Sequence, residues 1–292
     1  MKTLTYQKPI VIAEIGGNHK GDFDLAKEMI KTAKDFCGVQ VVKFQKRTNR
    51  ELLTEEEYNA PHPNPSNSYG DTYGAHREFL EFSKEQHAEL KKYCESIGIE
   101  YSTSVWDVTS AKEMTELNPR MLKVPSATNL NFEVLGYLAD NFSGEIHLSL
   151  GMTTQAEEKK IVEFLVGKGR AKDTVLYACT SGYPVDFEDV CLLEIVRLKE
   201  AYDGVVKSIG FSGHHNGIAA DMAAYTLGAT HVERHFTLNR AWKGTDHAAS
   251  LEHDGMRRLV RDLSAVQKSL TFKREEILPV EAVTRKKLKN HV

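Results

Sequence analysis

Two histidines in the last third of the chain have neighbours suited to holding a divalent metal. His214 lies in V-K-S-I-G-F-S-G-H-H and His235 in T-H-V-E-R-H-F-T-L. Each follows a short strand-like run that ends in a polar turn. If the two runs are neighbouring parallel strands of one barrel, both imidazoles emerge side by side at its rim, where a metal can bind. Glu233 and Asp246 bring carboxylates to the same stretch. Lys43, in V-V-K-F-Q, and Lys123, in L-K-V-P-S, sit in apolar runs. A buried ammonium needs an anion, either a phosphorylated or carboxylated ligand or carboxylates of the barrel itself. Glu14, in I-A-E-I-G, poses the complementary problem, since a carboxylate in an apolar strand binds a cation or moves a proton.

The elements that must position these residues alternate along almost the whole chain. Runs 9–13, 40–44, 100–103, 121–124, 145–149, 174–178, 207–211 and 230–233 are apolar, β-branched or alternating and are expected as strands. Helical periodicity falls between them, over about 24–36, 110–117, 188–201 and 254–270. Ser83 with Gln86, and Thr154 with Glu157, have the capping-box spacing of helix starts. The stretch from Lys46 to Gly74, rich in Asn, Pro, Ser and Tyr, is expected to be a long non-helical loop. Eight strand–helix pairs predict an α/β fold, a single-domain (β/α)8 TIM barrel over residues 1–271, followed by a basic tail at 272–292. A Schiff-base lysine is a second use for the buried ammoniums, but the histidine pair favours a metal for carbonyl polarisation.

In such a barrel the C-terminal strand ends face one common site. Read in order they offer Glu14, Lys43 with Gln45, Thr103, Lys123 with Ser126, Ser149, Thr180 with Ser181, Ser212 with His214, and His235. One polar strand end is unremarkable, and a serine or threonine can be a helix cap; eight such ends together predict a binding site. Asp246, in K-G-T-D-H-A, follows the eighth strand and is either part of that site or a turn residue. The length of 292 residues suits the barrel, and a net charge of −3 leaves no nucleic-acid footprint. No apolar run has membrane-spanning length and the N-terminus lacks a signal-peptide core, so a cytoplasmic location is expected. Cys37, Cys94, Cys179 and Cys191 lack metal-type spacing and are expected as reduced thiols.

The motifs V-I-A-E-I-G-G-N-H-K-G-D, V-V-K-F-Q, I-E-Y-S-T-S, L-K-V-P-S-A, L-S-L-G-M-T-T, C-T-S-G-Y-P, G-F-S-G-H-H-N-G-I and V-E-R-H-F-T-L-N-R, with G-T-D-H-A-A-S after them, resemble the sialic acid synthase family. The resemblance runs collinearly from about Pro9 to Leu270. It implies condensation of phosphoenolpyruvate with an aldose such as an N-acylmannosamine, giving a 2-keto-3-deoxy sugar acid and phosphate. It implies phosphoenolpyruvate contacts at Lys43, Thr103, Lys123, Ser126, Ser149, Ser181 and Ser212, and Mn2+ or Mg2+ on His214 and His235. It also implies Glu14 near the reacting carbons, with Tyr183 and Asp246 towards the sugar. Glu14, Lys43, Lys123 and Asp246 are therefore the candidate catalytic residues, with Gln45 among the substrate contacts. A homodimer is expected by the same resemblance.

Departures from the family pattern are local. Ser212-Gly213-His214-His215 stands where members usually read S-D-H-T, and Thr128 replaces an acidic residue often found after K-x-x-S-G. Bacterial members normally continue into a C-terminal antifreeze-like domain that supplies an arginine to the acyl sugar; here only the basic tail is expected. Arg47, Arg50 and Arg77 are candidates to compensate, as contacts to the sugar or to a phosphate or carboxylate on it, against the alternative of solvated surface charge. Two other functions fit the same strand ends: a metal-dependent pyruvate aldolase, which releases no phosphate, and a non-catalytic sugar-phosphate-binding barrel.

Overall fold

In the computed structural model, which describes residues 6–289, the eight expected runs become parallel strands that close into a barrel in sequence order. They are β1 Ile10–Gly16, β2 Val41–Lys46, β3 Glu100–Val105, β4 Met121–Val124, β5 Glu145–Ser149, β6 Thr174–Cys179, β7 Ser208–Gly213 and β8 His231–His235. β8 pairs back onto β1, with Glu14 opposite His235. Most strands extend one to three residues further towards the site than the apolar runs suggest, because the polar residues at their ends still pair with the neighbouring strand.

The helices are α1 Phe23–Lys31, α2 Asn49–Leu52, α3 Glu55–Asn59, α4 Tyr73–Phe79, α5 Lys84–Ile97, α6 Val108–Glu116, α7 Phe132–Asn141, α8 Gln155–Gly167, α9 Glu194–Tyr202, α10 Ala219–Leu227, α11 His253–Ser269 and α12 Pro279–Leu288. Ser83 and Thr154 close both expected capping boxes, at the starts of α5 and α8. The expected helix over 24–36 splits: α1 stops at Lys31 and the chain runs on as a π-helical turn, Thr32–Cys37. The stretch 46–74 is not free of helix. It holds α2, α3, a 3-10 turn at Pro65–Asn67 and the start of α4, each short, and all but α2 with a side-chain cap at the N-terminus, as at Thr54 with Glu57. The tail also carries structure, since α12 lies within 272–292, though Val280 and Val283 on it are largely exposed.

Two apolar layers between strands and helices hold the barrel. One gathers Leu122, Val124, Leu148, Leu176 and Phe211 against the helices from α6 to α10; the other gathers Val11, Ala13, Val42 and Phe44 against α1, α5 and α11. A fully buried Leu, Ile or Phe contributes roughly 1.5–3 kcal/mol. The barrel interior has a small apolar plug of Ile12, Val41, Met121, Val175 and Tyr177. Tyr177 fits because Gly210 faces it: a Cβ at Gly210 would stand 2.7 Å from the ring. Polar layers lie above and below the plug, and β8 shows how one strand serves both. Its alternate residues His231, Glu233 and His235 point inward at the bottom, middle and top of the barrel, following the period of two of a strand.

Candidate active site

A cavity of about 360 Å³ opens at the C-terminal ends of the strands. Glu14, Lys43, Gln45, Arg47, Lys123, Ser126, Ser149, Ser181, Tyr183, Ser212, His214, His235 and Asp246 all line it, so the structure brings together thirteen of the residues picked out from the sequence. The remaining ones lie elsewhere, Thr180 among them, which meets the site only through its carbonyl. Thr103 is fully buried but does not line the cavity; its neighbour Ser104 does. The reason is phase: on β3 the inward positions are Ser104 and, just past the strand, Trp106, and the residue between alternating positions must face the helices. Arg77 borders a smaller adjoining chamber. Arg50 is on the surface, over the Tyr58 ring and paired with Glu55.

The floor of the cavity is a charge quartet. Lys43 is ion-paired with Glu14, donates to Ser104 Oγ at 2.8 Å, and stands 3.7 Å from Glu233 Oε1. Lys123 Nζ donates to the same Glu233 oxygen at 2.7 Å and lies 4.1 Å from the centroid of the Tyr177 ring. Ser212 adds a hydroxyl donor to Glu233 at 3.2 Å. The anions that the buried lysines require are therefore carboxylates of the barrel, the second of the two sources weighed from the sequence. Burial alone would raise Glu233, yet Lys123 and Lys43 outweigh it and hold that carboxyl down to about 2. Burial raises Glu14 despite the pull of Lys43, with repulsion from Glu233 adding to it. Burial lowers Lys123, and Glu233 restores only part of the loss. Two ammoniums and two carboxylates packed at this depth leave polar capacity unused, as shown by Glu233 Oε2, which has no hydrogen-bond partner among the described residues.

Above the quartet sit the imidazoles. The His214 and His235 ring centroids are 5.5 Å apart, the side-by-side arrangement the sequence predicts for neighbouring strand ends. His214 Nδ1–H donates to the Thr180 carbonyl at 2.9 Å, which fixes the tautomer and leaves Nε2 as a bare lone pair. Burial, and then the neighbouring His235, lowers the His214 imidazole to about 3, so it is neutral. Tyr183 packs over both rings, at 4.3 Å from His214 and 5.8 Å from His235. Its ring stands about half exposed at the cavity mouth. A neutral imidazole with a fixed tautomer, next to a second imidazole and an open cavity, fits a divalent cation that keeps positions for water or substrate oxygens.

His215, beside His214, does something else. Its Nε2 lies 3.0 Å from Arg234 and 3.3 Å from Asp221, in a fully buried cluster where Arg234 and Asp221 are also paired. This cluster anchors the turn after β7 to α10. Thr128, half-buried on a 3-10 turn, does not line the cavity. Residues that the sequence reading left out are Ser104, Trp106, Met152, Cys179 and Thr245, along with the role of Glu233 as counterion to Lys123. Inward phase on β3 and β6 was the available signal for Ser104 and Cys179.

A second group of potential ligands lies at the opposite pole. Glu145, His147 and His231 can each bring one ligand atom within 4.8 Å of the others, and His147 Nε2 lies 3.5 Å from Glu145 Oε2. Lys207 at 2.9 Å and Arg120 at 3.7 Å already balance Glu145. This layer closes the bottom of the barrel, the face associated with stability and not with chemistry.

With the geometry in place, three comparisons bear on it. Residues 29–275 match the model of the NeuB family. N-acetylneuraminate-9-phosphate synthase of Homo sapiens is 38% identical over 283 residues, spanning 95% of this chain and 76% of that protein. N,N'-diacetyllegionaminic acid synthase of Campylobacter jejuni is 31% identical over 265 residues, spanning 90% and 78%. Among solved structures, the sialic acid synthetase of Leptospira borgpetersenii superposes with a TM-score of 0.80 at 26% identity, covering 99% of this chain and 96% of that one.

Proposed function

Because the chain belongs to the NeuB family of sugar-acid synthases, we propose that it condenses phosphoenolpyruvate with an acylamino aldose to give a 2-keto-3-deoxy sugar acid and phosphate. The relatives named for N-acetylneuraminate 9-phosphate and for diacetyllegionaminic acid support the acylamino class of acceptor. The observation that carries the reading is the vertical order of the cavity: a floor of two lysines and two carboxylates, a ring of serine hydroxyls, and a histidine pair at the rim.

In this reading Lys43 and Lys123 face the anionic donor from the floor, while Ser126, Ser149, Ser181 and Ser212 supply hydroxyls to its phosphate and carboxylate oxygens. Ser126 Oγ accepts from the Gly151 amide at 3.0 Å and donates a long bond to Cys179 Sγ at 3.9 Å, a weak contact that a ligand oxygen could replace. His214 and His235 are the residues that would hold a divalent cation, Mn2+ or Mg2+. Bound there, the cation supplies Lewis-acid polarisation of the acceptor aldehyde. Carbon 3 of phosphoenolpyruvate forms the new bond to the aldehyde carbon, water adds at carbon 2, and the carbon–oxygen bond to phosphate breaks. Glu14, held between Lys43 and Gln45, is placed to take or give the proton that this sequence requires. Asp246 and Tyr183 border the space left for the sugar. Gly213 and the neighbouring His215 leave the acidic residue usual before the metal histidine without a counterpart.

The test is phosphate release from phosphoenolpyruvate by the purified protein with an acylamino aldose, before and after chelation. The reading requires release that depends on both the aldose and the cation, and that falls sharply in His214→Ala and His235→Ala. Undiminished release after chelation would contradict it. A homodimer, a cytoplasmic location and a division into barrel and tail at residue 271 are proposed alongside, on family grounds and on the sequence.

A further inference from the structure

The closed end of the barrel carries more ligand capacity than a packed layer needs. Glu145 and His147 on β5 and His231 on β8 meet there, although β6 and β7 separate their strands. Strand phase brings both imidazoles inside: His147 is two residues before Ser149, and His231 two before Glu233. His147 is 1% exposed and His231 4%, and their ring centroids are 5.1 Å apart. An imidazole buried that deeply needs a partner on both nitrogens. Each ring has one on Nδ1: the Tyr177 hydroxyl at 2.7 Å for His147, and Thr230 Oγ1 at 2.8 Å for His231. Thr230 Oγ1 directs its own proton to Ser208 Oγ at 2.8 Å or to the Ile209 carbonyl at 3.2 Å, so it accepts from His231 Nδ1–H. His231 Nε2 is then a bare lone pair, and it has no hydrogen-bond partner among the described residues.

The third group has the right atom free. His147 Nε2 faces Glu145 Oε2 at 3.5 Å, too long for a strong hydrogen bond. Two ligand atoms on a tetrahedral zinc, each about 2.0–2.1 Å from the ion, stand about 3.3 Å apart, which is close to that spacing. Lys207 at 2.9 Å and Arg120 at 3.7 Å both approach Glu145 through Oε1, so Oε2 is left towards the imidazoles. The side chains of these two cations are 43% and 46% exposed, and Arg120 also has Glu100 at 3.1 Å, so water and a second carboxylate screen their charges. Burial lowers both imidazoles, which are therefore neutral, as ligands must be. The Glu145 side chain is 17% exposed and gives an ion a route in from solvent.

We propose that Glu145, His147 and His231 form a second, structural metal site, a zinc centre with water in the fourth position that ties β5 to β8 across the closed end of the barrel. Two imidazoles and one carboxylate are a donor set that zinc favours, whereas Mg2+ prefers a shell of oxygens. The apolar plug separates this centre from the Lys–Glu floor of the cavity, so it takes no part in the chemistry above. The inference does not rest on the condensation reading. A cation that binds the folded barrel and not the unfolded chain adds to stability.

The experiment uses Zn2+ alone as the probe. Full-length protein is stripped with a chelator, reloaded, freed of unbound ion by gel filtration, and analysed for metal per chain and for Tm, with circular dichroism to confirm folding. His214→Ala/His235→Ala, which removes the rim pair, is expected to keep one zinc per chain and to melt several degrees higher with zinc than without it. Adding His231→Leu or Glu145→Gln is expected to weaken zinc binding by about 10-fold or more and to abolish the gain in Tm. A folded rim variant that holds no zinc overturns the inference. Zinc kept with unchanged affinity after both further substitutions also overturns it, by placing the ion elsewhere. Should the rim variant fail to fold, wild type and Glu145→Gln give the same reading: two ions against one supports the site, and equal counts overturn it.

Discussion

Replacing Lys123 separates what the charge quartet does for the fold from what it does for chemistry. Lys123 Nζ is 2.7 Å from Glu233 Oε1, an attraction of about 6 kcal/mol at an effective dielectric of roughly 20. Removing the ammonium in Lys123→Met leaves Glu233 with Lys43 at 3.7 Å and the Ser212 hydroxyl as its remaining neighbours. Part of the lost attraction is offset because the ammonium no longer has to be buried. Breaking one side of a buried pair therefore costs about 3–5 kcal/mol net. Glu233→Gln costs a similar amount by leaving Lys123 unpaired. The double variant Lys123→Met/Glu233→Gln removes both charges together and is expected to be clearly more stable than the sum of the singles, by at least ~2 kcal/mol. Urea titration followed by circular dichroism measures all four proteins. Phosphate release is expected to fall by roughly 10²–10³ in the double variant as well as in the singles, since stability returns but the donor-facing ammonium does not. Additive destabilisation, or a double variant with wild-type turnover, refutes the reasoning.

Other predictions follow from single contacts. Gly151→Ala places a methyl 2.7 Å from Ser126 Oγ and against Ser181, so phosphoenolpyruvate KM should rise about tenfold or more while the fold persists. Glu14→Gln should lower kcat by roughly 10²–10⁴ with little change in phosphoenolpyruvate KM, measured by steady-state phosphate release. Asp221→Ala leaves Arg234 buried without its carboxylate and should destabilise the protein by about 3–5 kcal/mol in denaturant titration. The fold should weaken in mild acid because of His87, which is fully buried and which burial, helped by Lys46, lowers to about 3. Between the ordinary imidazole value near ~6.5 and that lower value the unfolded chain binds the extra proton, so stability present above ~6.5 is lost as pH falls, by about 1.4 kcal/mol per pH unit. His87→Leu should flatten the slope by that amount between pH ~6 and ~4. An unchanged slope rules against the assignment.

The barrel was legible because each strand is a short apolar or alternating run and each run is followed by helical periodicity. The end residues of the strands were legible as polar letters after apolar ones, which is how Lys43, Lys123, His214 and His235 stood out. Phase was harder. Thr103 and Ser104 are equally polar neighbours, and only the register of β3 against β2 and β4 decides which of them faces inward. Counterions were also hidden. Lys123 and Glu233 are 110 positions apart and meet only when β8 closes the barrel, so the sequence left the source of the anion open. His215 stood out only as a departure from the family pattern, and the buried Arg234–Asp221 pair that claims it lies on two other elements. Within 46–74 the short helices are set by local caps such as Thr54 with Glu57, too brief to leave a periodic signal. The small chamber beside the cavity is built from that same stretch and α4; Arg47 and Arg77 were picked out from the sequence, while His62 and His76 were not.

The central claim is that carbon–carbon bond formation and loss of phosphate occur together in the cavity above the Lys–Glu floor. The most direct measurement follows phosphate release and product mass in one reaction of phosphoenolpyruvate, an acylamino aldose or its phosphate, and Mn2+ or Mg2+. The account predicts one phosphate for each product molecule, with the mass of phosphoenolpyruvate plus aldose plus water less phosphoric acid. A product formed from pyruvate and the aldose without phosphate release would contradict it and identify an aldolase.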